Sequence, residues 1–201
     1  MTTIATDNAR RIDSQGTMPL RIRLSESFEN VVRLNPDLCI EQSADGELIL
    51  MSPTGGESGY RNGKIGLQLG LWAQSYGGYV FDSSTLFQLP NGAKRSPDAA
   101  WISEKRWLSL TVEERKGFPP ISPNFVIELR SDSDRLVDLQ AKMQEYMDTG
   151  VRLGWLIDPF QRHVHVYQPN ESHETKSSDS ISNQTCLPGF VLDLSPIWAQ
   201  D

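Results

Sequence analysis

The sequence predicts an α/β fold in which a mixed β-sheet is flanked by α-helices. Three observations support this prediction. Helix-like and strand-like patterns alternate along the chain, two short turn sequences mark hairpins, and a strand–helix–strand pattern spans residues 125–159. A hairpin joins antiparallel strands, whereas a strand–helix–strand unit joins parallel ones, so the sheet should contain pairs of both kinds.

The composition is that of an ordinary globular protein, with 38% hydrophobic and 22% charged residues. The net charge of −7 argues against a chain that binds nucleic acid over its whole surface, so any such contact needs a local basic patch. No stretch approaches the roughly 18 apolar residues of a membrane helix, and the N-terminus lacks the apolar core of a secretory signal. We therefore expect a cytoplasmic protein without a membrane segment.

The N-terminal part predicts a tail, a helix and a hairpin. Residues 1–17 are polar and aperiodic, which indicates a disordered tail, and residues 18–201 should form a single domain. Apolar residues at helical spacing then follow Ser25 and Ser27, either of which can cap a helix. The next two strand-like runs flank an Asp-Gly dipeptide at residues 45–46, which is typical of a hairpin turn.

The middle of the chain predicts one long helix and several strands. The helix should cover residues 57–75, where the apolar content is high, and end before Gly77. Beyond it the pattern predicts strands at residues 78–82, 85–89 and 98–102, with an Asn-Gly turn at residues 91–92, and short surface helices at residues 104–110 and 111–116.

The C-terminal part contains the strand–helix–strand unit. An apolar strand begins at Phe125, and Ser133 or Asp134 should cap a helix that ends before Gly150. The following segments predict a hairpin of residues 154–159 and 163–167, a mobile polar loop at residues 170–184, and a last strand at residues 190–194.

Two carboxylates in these strands are the candidate site. Glu128 lies in the middle of the apolar strand, where a charge is costly unless it is paired or binds a metal. Asp98 lies at the start of an earlier strand, so neighbouring strands could bring both carboxylates to one end of the sheet. Two close carboxylates repel each other unless a proton or cation separates them, and Mg²⁺ or Mn²⁺ is suited to such oxygen ligands. That arrangement serves phosphodiester hydrolysis.

Lys142 is the third candidate. It lies on the helix that follows the Glu128 strand and flanks the apolar stripe of that helix. A lysine in this position can lean towards the end of the sheet and supply a positive charge to a phosphate or to the attacking water.

These residues resemble the PD-(D/E)XK nuclease superfamily, through Pro97-Asp98, the Glu128 strand and a helical lysine. Further motifs make the chain similar to the Uma-type restriction endonuclease family over most of its length. These motifs are NPD (residues 35–37), DGEL (45–48), MSPTGGE (51–57), FDSST (81–85), LPNG (89–92) and GWLIDP (154–159).

The resemblance implies a restriction-endonuclease-like core, metal-dependent cleavage of DNA, and a homodimer. It implies that Asp98 and Glu128 bind the metal, that Glu57 is an additional acidic ligand, and that Lys142 is the catalytic lysine. The chain departs from the pattern at Arg130, which occupies the usual lysine position of the E-x-K element. Arginine cannot act as a base but can bind phosphate. Arg61 and Lys64 are further candidates for phosphate contacts.

Alternatives remain for each residue and for the function. Asp98 could be a turn residue, and Glu128 could pair with Arg130 or Arg135. Lys142 could be a solvated helix lysine, and Glu57 could be an N-terminal helix charge. The whole chain could be an inactive DNA-binding or dimeric interaction module of the same fold. A metal phosphoesterase acting on small substrates is a third possibility, and it predicts an enclosed pocket.

Overall fold

The structure is a computed structural model that describes residues 20–22, 27–51 and 53–198. Two main sheets, of six and five strands, and a two-stranded ribbon are packed with helices. The prediction of an α/β fold with a mixed sheet is therefore confirmed. The predicted tail at residues 1–17 lies outside the described residues. Among the helices of those residues, none combines the length and the apolar character that crossing a bilayer requires.

The elements are named in chain order. The helices are α1 (Phe28–Leu34), α2 (Gly56–Tyr76), α3 (Glu104–Leu108), α4 (Val112–Lys116), α5 (Leu136–Asp148) and α6 (Ser195–Trp198). The strands are β1 (Leu20–Ile22), β2 (Ile40–Gln42), β3 (Leu48–Leu50), β4 (Tyr79–Asp82), β5 (Phe87–Gln88), β6 (Lys94–Arg95), β7 (Ala99–Ile102), β8 (Phe125–Leu129), β9 (Leu153–Asp158), β10 (His163–Tyr167), β11 (Glu174–Lys176), β12 (Ser180–Ser182) and β13 (Val191–Asp193).

The six-stranded sheet has the order β11-β10-β9-β8-β7-β4. Strands β8 and β9 are parallel and are joined through α5, as the strand–helix–strand pattern predicts, while the other neighbours are antiparallel. All five residues of β8 are buried. This central position explains its nearly continuous apolar sequence, because both faces of the strand are covered.

The two long helices cover opposite faces of this sheet. Helix α2 buries Ile65, Leu69 and Ala73 at helical spacing in one core cluster, and α5 buries Met143 and Tyr146 in another. Even a methyl group on Gly154 of β9 would collide with the side chain of Met143. The small residue thus lets α5 lie directly on β9, close to the end of β8.

The five-stranded sheet has the order β1-β3-β2-β6-β5. Its β2–β3 pair is the predicted hairpin, and Gly46 of the turn has φ of +85°, a conformation that favours glycine. Ser43 closes the turn, since its N–H donates to the Glu47 carbonyl at 2.9 Å. Strand β6 pairs with β2 and is followed by Ser96-Pro97-Asp98, which leads into β7, so this short connection joins the two sheets.

Two local predictions were wrong. Residues 170–184 contain β11 and β12 instead of a continuous mobile loop. Strand β11 pairs with β10 through its backbone, and because all of its residues are exposed, its sequence has no apolar pattern from which a strand could be predicted. Helix α5 starts at Leu136, later than a cap at Ser133 or Asp134 would give. The Asp134 carboxylate accepts hydrogen bonds from the N–H and hydroxyl of Ser131 instead.

Candidate active site

The strand pairing brings Asp98 and Glu128 together. In the antiparallel β7–β8 pair, Ala99 lies opposite Ile127, and continuing this register by one residue places Asp98 opposite Glu128 on one face. The N–H of Leu129 donates to Asp98 Oδ2 at 2.8 Å, which fixes the Asp98 carboxylate at the end of β8. The two carboxylates predicted from the sequence therefore share one end of the sheet.

Asp98 also contacts helix α2. Asn62 Nδ2 donates to Asp98 Oδ1 at 2.9 Å. Burial raises the pKa of Asp98 above its ordinary value, although the hydrogen bonds from Leu129 and Asn62 and the charge of Lys142 oppose the shift. The amide oxygen of Asn62 is buried and has no hydrogen-bond donor within the described residues. An oxygen without a partner beside a partly buried carboxylate is a place for a cation or a water molecule.

Lys142 lies at the same end of the sheet. Its Nζ is 2.8 Å from Glu128 Oε1, 2.8 Å from Glu41 Oε1 and 3.3 Å from the Ser96 carbonyl oxygen. Only 11% of the side chain is exposed, so the ammonium does not extend into solvent. One turn further along α5, the Tyr146 hydroxyl donates to Glu128 Oε1 at 2.9 Å. Helix α5 thus places two hydrogen-bond donors, Lys142 and Tyr146, at the Glu128 carboxylate of the preceding strand.

Glu41 is a residue of this site that the sequence did not suggest. It lies on β2 in the five-stranded sheet and is buried. Its Oε1 accepts from the Ser96 N–H at 2.8 Å, and its Oε2 pairs with Arg95 at 3.1 Å. The only signal in the sequence is one carboxylate in a short apolar run, the same signal that singled out Glu128. A hairpin strand with one face in solvent also carries polar residues between apolar ones, so a single carboxylate there does not indicate a buried site.

The site has an excess of negative charge. Asp98, Glu128 and Glu41 are three carboxylates, and Lys142 is the cation that interacts with all of them. Behind Glu41, Arg95 and Glu145 form an ion pair at 2.5 Å and add one charge of each sign. With all groups ionised, the formal excess is therefore two negative charges, which equals the charge of one divalent cation.

This excess shows in the acidity of the groups. Burial is the main reason why the pKa of Glu128 is raised to about 8; Lys142 opposes the shift, and the Asp98 and Glu41 carboxylates add to it. Burial would also raise the pKa of Glu41, but the Lys142 ammonium and the Arg95 guanidinium hold it below its ordinary value. At neutral pH the metal-free site therefore relieves its charge by keeping a proton on Glu128.

Arg130 is directed away from the two carboxylates. Its Nη1 lies 2.8 Å from Oδ2 of the fully buried Asp158, and its guanidinium lies 5.3 Å from the ring centroid of Phe160. The arginine that replaces the usual lysine is thus the partner of a buried carboxylate on β9. Lys142 contacts Glu128 from the helix instead.

We expect the substitution Arg130→Met to lower the free energy of unfolding by about 2 kcal/mol, because it removes the cation of a buried carboxylate. The loss should be smaller than for a fully buried pair, since Arg130 is 25% exposed and two backbone N–H groups still donate to Asp158. Urea denaturation measures the effect, and R130M/D158N should recover part of it. An unchanged unfolding midpoint for R130M would contradict this assignment.

Glu57, Arg61 and Lys64 of α2 lie apart from the carboxylate pair. Glu57 is exposed and forms an ion pair at 3.3 Å with the buried Arg61, while Lys64 lies over the ring of Tyr60. Within the described residues no hydrogen bond or ion pair joins them to Asp98 or Glu128. No three histidine, cysteine, aspartate or glutamate side chains are grouped there as a metal site either.

A groove of about 630 Å³ leads to Asp98. One wall is helix α2 at Asn62, Gly63 and Gly66, the other is the turn of residues 82–85, and Asp98 lies at the floor. A Cβ atom on either glycine would meet nothing within 4 Å, so the groove remains wide at the helix backbone. Because the turn residues Ser83 and Ser84 are exposed, the groove is open to solvent rather than enclosed.

Comparisons with known proteins agree with this architecture. The model of the family Uma2, described as "Putative restriction endonuclease", matches residues 25–195. A crystal structure of a "putative nuclease belonging to DUF820" from Anabaena variabilis superposes with a TM-score of 0.67 at 17% identity, covering 80% of this chain and 89% of that one. None of the curated proteins matches the sequence. The structural likeness shows a shared fold, and, since the family model covers most of the chain, the protein belongs to the Uma2 restriction endonuclease family.

Proposed function

We propose that the protein is a metal-dependent endonuclease that hydrolyses phosphodiester bonds of DNA, acting as a cytoplasmic homodimer. The observation that carries this proposal is a largely buried cluster of carboxylates with a formal excess of two negative charges, one member of which, Asp98, also lines an open groove. The family description supports DNA as the substrate. A homodimer would supply the two sites that a double-strand cut in one encounter needs, since a single site cuts one strand.

The groups in the site suit Mg²⁺ or Mn²⁺. Asp98 and Glu128 would bind the ion, and the Asn62 amide oxygen, which is buried without a donor, offers a further hard ligand or an acceptor for a bound water. The ion would polarise the phosphate and lower the pKa of a water molecule. Glu57 has no such position in the structure, because its exposed carboxylate pairs with Arg61.

Lys142 acts in this proposal as a positive charge and not as a base. Burial lowers the pKa of Lys142, but the carboxylates of Glu128 and Glu41 more than offset this effect and raise the pKa above its ordinary value. The ammonium therefore stays protonated at neutral pH. It can donate a hydrogen bond to the attacking water or to a phosphate oxygen that gains charge in the transition state.

The two alternative functions have less support. An inactive module of the same fold is supported by Arg130, whose guanidinium forms an ion pair with Asp158 and takes no part in the carboxylate cluster. That alternative does not explain why Lys142 is buried between Glu41 and Glu128. A small-substrate phosphoesterase predicts an enclosed pocket, whereas the groove at Asp98 is open along residues 82–85.

Plasmid cleavage tests the proposal directly. Purified protein should nick or linearise supercoiled plasmid, or cut single-stranded DNA, in Mg²⁺ or Mn²⁺, and EDTA should stop the reaction. The variant Glu128→Gln, purified in parallel, should show no cleavage and so exclude a contaminating nuclease. Absence of cleavage of either DNA with either ion would contradict the proposal.

The affinity for Mn²⁺ should increase as the pH rises towards about 8 and level off above it. Below the pKa of Glu128, about 8, a proton competes with the ion for this carboxylate, so affinity can fall up to tenfold per pH unit. In metal-free protein the same carboxyl stabilises the fold most fully below about pH 4.5, and this contribution is lost as the pH rises through about 8. Calorimetric titration at several pH values measures the affinity. A pH-independent affinity between about pH 6 and 8 would show that Glu128 does not bind the ion.

A further inference from the structure

We propose that Glu41 is a positioning residue that holds the Lys142 ammonium in the active site while the Glu128 carboxylate binds a metal ion. The inference rests on the proposed function and extends it to a residue of the second sheet. It assigns a role to the β2–β3 hairpin, which lies outside the strand–helix–strand unit that supplies Glu128 and Lys142.

The contacts of Lys142 are the first argument. Its Nζ lies 2.8 Å from one oxygen of Glu41 and 2.8 Å from one oxygen of Glu128, so two carboxylates share one ammonium. A metal ion on Glu128 would compete for the lone pairs and negative charge that now stabilise Lys142 there. The flexible four-carbon side chain of lysine would then lose one of its two carboxylate partners and would be repelled by the ion. Glu41 is the partner that remains.

The contacts of Glu41 are the second argument. The Ser96 N–H donates to its Oε1 at 2.8 Å, and Arg95 binds its Oε2 at 3.1 Å, so the carboxylate is fixed from both sides. Lys142 is a second partner of Oε1, so both oxygens are occupied and Glu41 binds the ammonium rather than a metal ion. A buried carboxylate with two fixed partners is a rigid acceptor for the third.

Ser96 is the third argument, since it links this contact to Asp98. Its N–H binds Glu41 and its carbonyl oxygen accepts from Lys142 at 3.3 Å, while Asp98 lies two residues further along the same segment. The Ser96 hydroxyl donates to the Thr85 carbonyl at 2.7 Å, which anchors the segment to the wall of the groove. Glu41 therefore positions Lys142 relative to the same short segment that positions Asp98.

The test compares Glu41→Gln with Glu145→Gln. The first removes the charge at Lys142 but can keep the hydrogen bond from Ser96. The second removes a less buried carboxylate, 18% exposed against 4% for Glu41, which binds Arg95 and Asn91 instead of Lys142. For E41Q we expect kcat to fall about 10–100-fold, as for residues that orient catalytic groups, with KM and the Kd for Mn²⁺ unchanged within about threefold. For E145Q all three quantities should stay near wild type.

A second readout does not depend on cleavage. With Mg²⁺ bound, the Lys142 ammonium of the wild type should give a slowly exchanging ¹H–¹⁵N NMR signal, assigned by its absence in Lys142→Met, and E41Q should lose it. E41Q with wild-type kcat and a retained signal would overturn the proposal. If the wild-type protein shows the signal, E41Q loses it and neither cuts DNA, the proposed function would be contradicted while the role of Glu41 in holding the lysine would be supported.

The variant Glu41→Asp keeps the test decisive if E41Q does not fold. The shorter side chain keeps the charge but cannot reach Ser96, Arg95 and Lys142 at the distances of the native contacts. A reduced kcat with native Mn²⁺ affinity would support the proposal, and full activity of E41D would overturn it.

Discussion

Replacing Asp98 by Asn is expected to reduce metal-dependent cleavage of DNA by about 10³-fold or more. The neutral amide is a poor ligand, and a bound ion supplies several kcal/mol of transition-state stabilisation, at about 1.4 kcal/mol per tenfold in rate. Binding of Mn²⁺ should weaken in parallel, because Asp98 is one of the two carboxylates that lie together where β7 begins and β8 ends. Single-turnover cleavage and calorimetric titration of the same preparation measure both effects.

The fold of this variant should persist. An amide oxygen can still accept the Leu129 N–H, and burial raises the pKa of Asp98, which means that the ionised form is disfavoured in the folded protein. Because the folded pKa lies above the unfolded value of 3.8, ionised Asp98 makes the folded state less stable as the pH rises above 3.8. The neutral amide of Asn does not ionise and has no such cost. Metal-free D98N should therefore melt at or above the wild-type temperature at pH 7.

The matched control is Asp148→Asn, the same chemical change at the exposed end of α5, where the carboxylate accepts from Gln144 at 2.9 Å. It should cleave like the wild type. D98N that binds Mn²⁺ and cuts DNA like D148N would remove Asp98 from the site and, with it, the proposed metal centre.

Local patterns predicted the part of the site that one continuous segment carries. The run from Phe125 to Gly150 predicts a buried strand and an amphipathic helix, and the geometry of that unit explains why Lys142 returns to Glu128. Asp98 follows from the same logic, since a carboxylate at the start of a strand invites pairing with a neighbour. The residue types themselves suggested a metal site, and the resemblance to a known family added an expected role for each residue.

The contribution of the second sheet could not be predicted in this way. Glu41 reaches Lys142 only because β2 pairs with β6 and the chain then continues through Ser96 into β7. That pairing joins residues more than 50 positions apart, and the hydrophobic periodicity of a short sequence window does not indicate which distant strands pair. Arg130 is a similar case: its partner Asp158 is set by the parallel register of β8 and β9, so its position in the sequence motif did not reveal its contact.

Replacing Lys142 by Met should affect both the chemistry and the stability of the protein. Cleavage should fall about 10²–10³-fold, the loss typical of removing one donor that stabilises transition-state charge. Without the ammonium, Glu41 and Glu128 are buried with no cation between them, and breaking such a buried interaction costs about 3–5 kcal/mol. We expect about 3 kcal/mol, since Glu128, with a pKa of about 8, already carries a proton at neutral pH and Glu41 keeps its ion pair with Arg95. Urea denaturation and single-turnover cleavage measure the two losses.

The double variant K142M/E41Q separates these two effects. Removing the Glu41 charge along with the ammonium leaves Arg95 with Glu145 and a Glu128 that holds its proton at neutral pH, so much of the lost stability should return. The double-mutant cycle then gives the coupling of Lys142 and Glu41 in the folded protein. Cleavage should not return, because the positive charge at the reacting phosphate is still absent. If the double variant recovered cleavage together with stability, Lys142 would be a structural partner of the carboxylates and not a participant in catalysis.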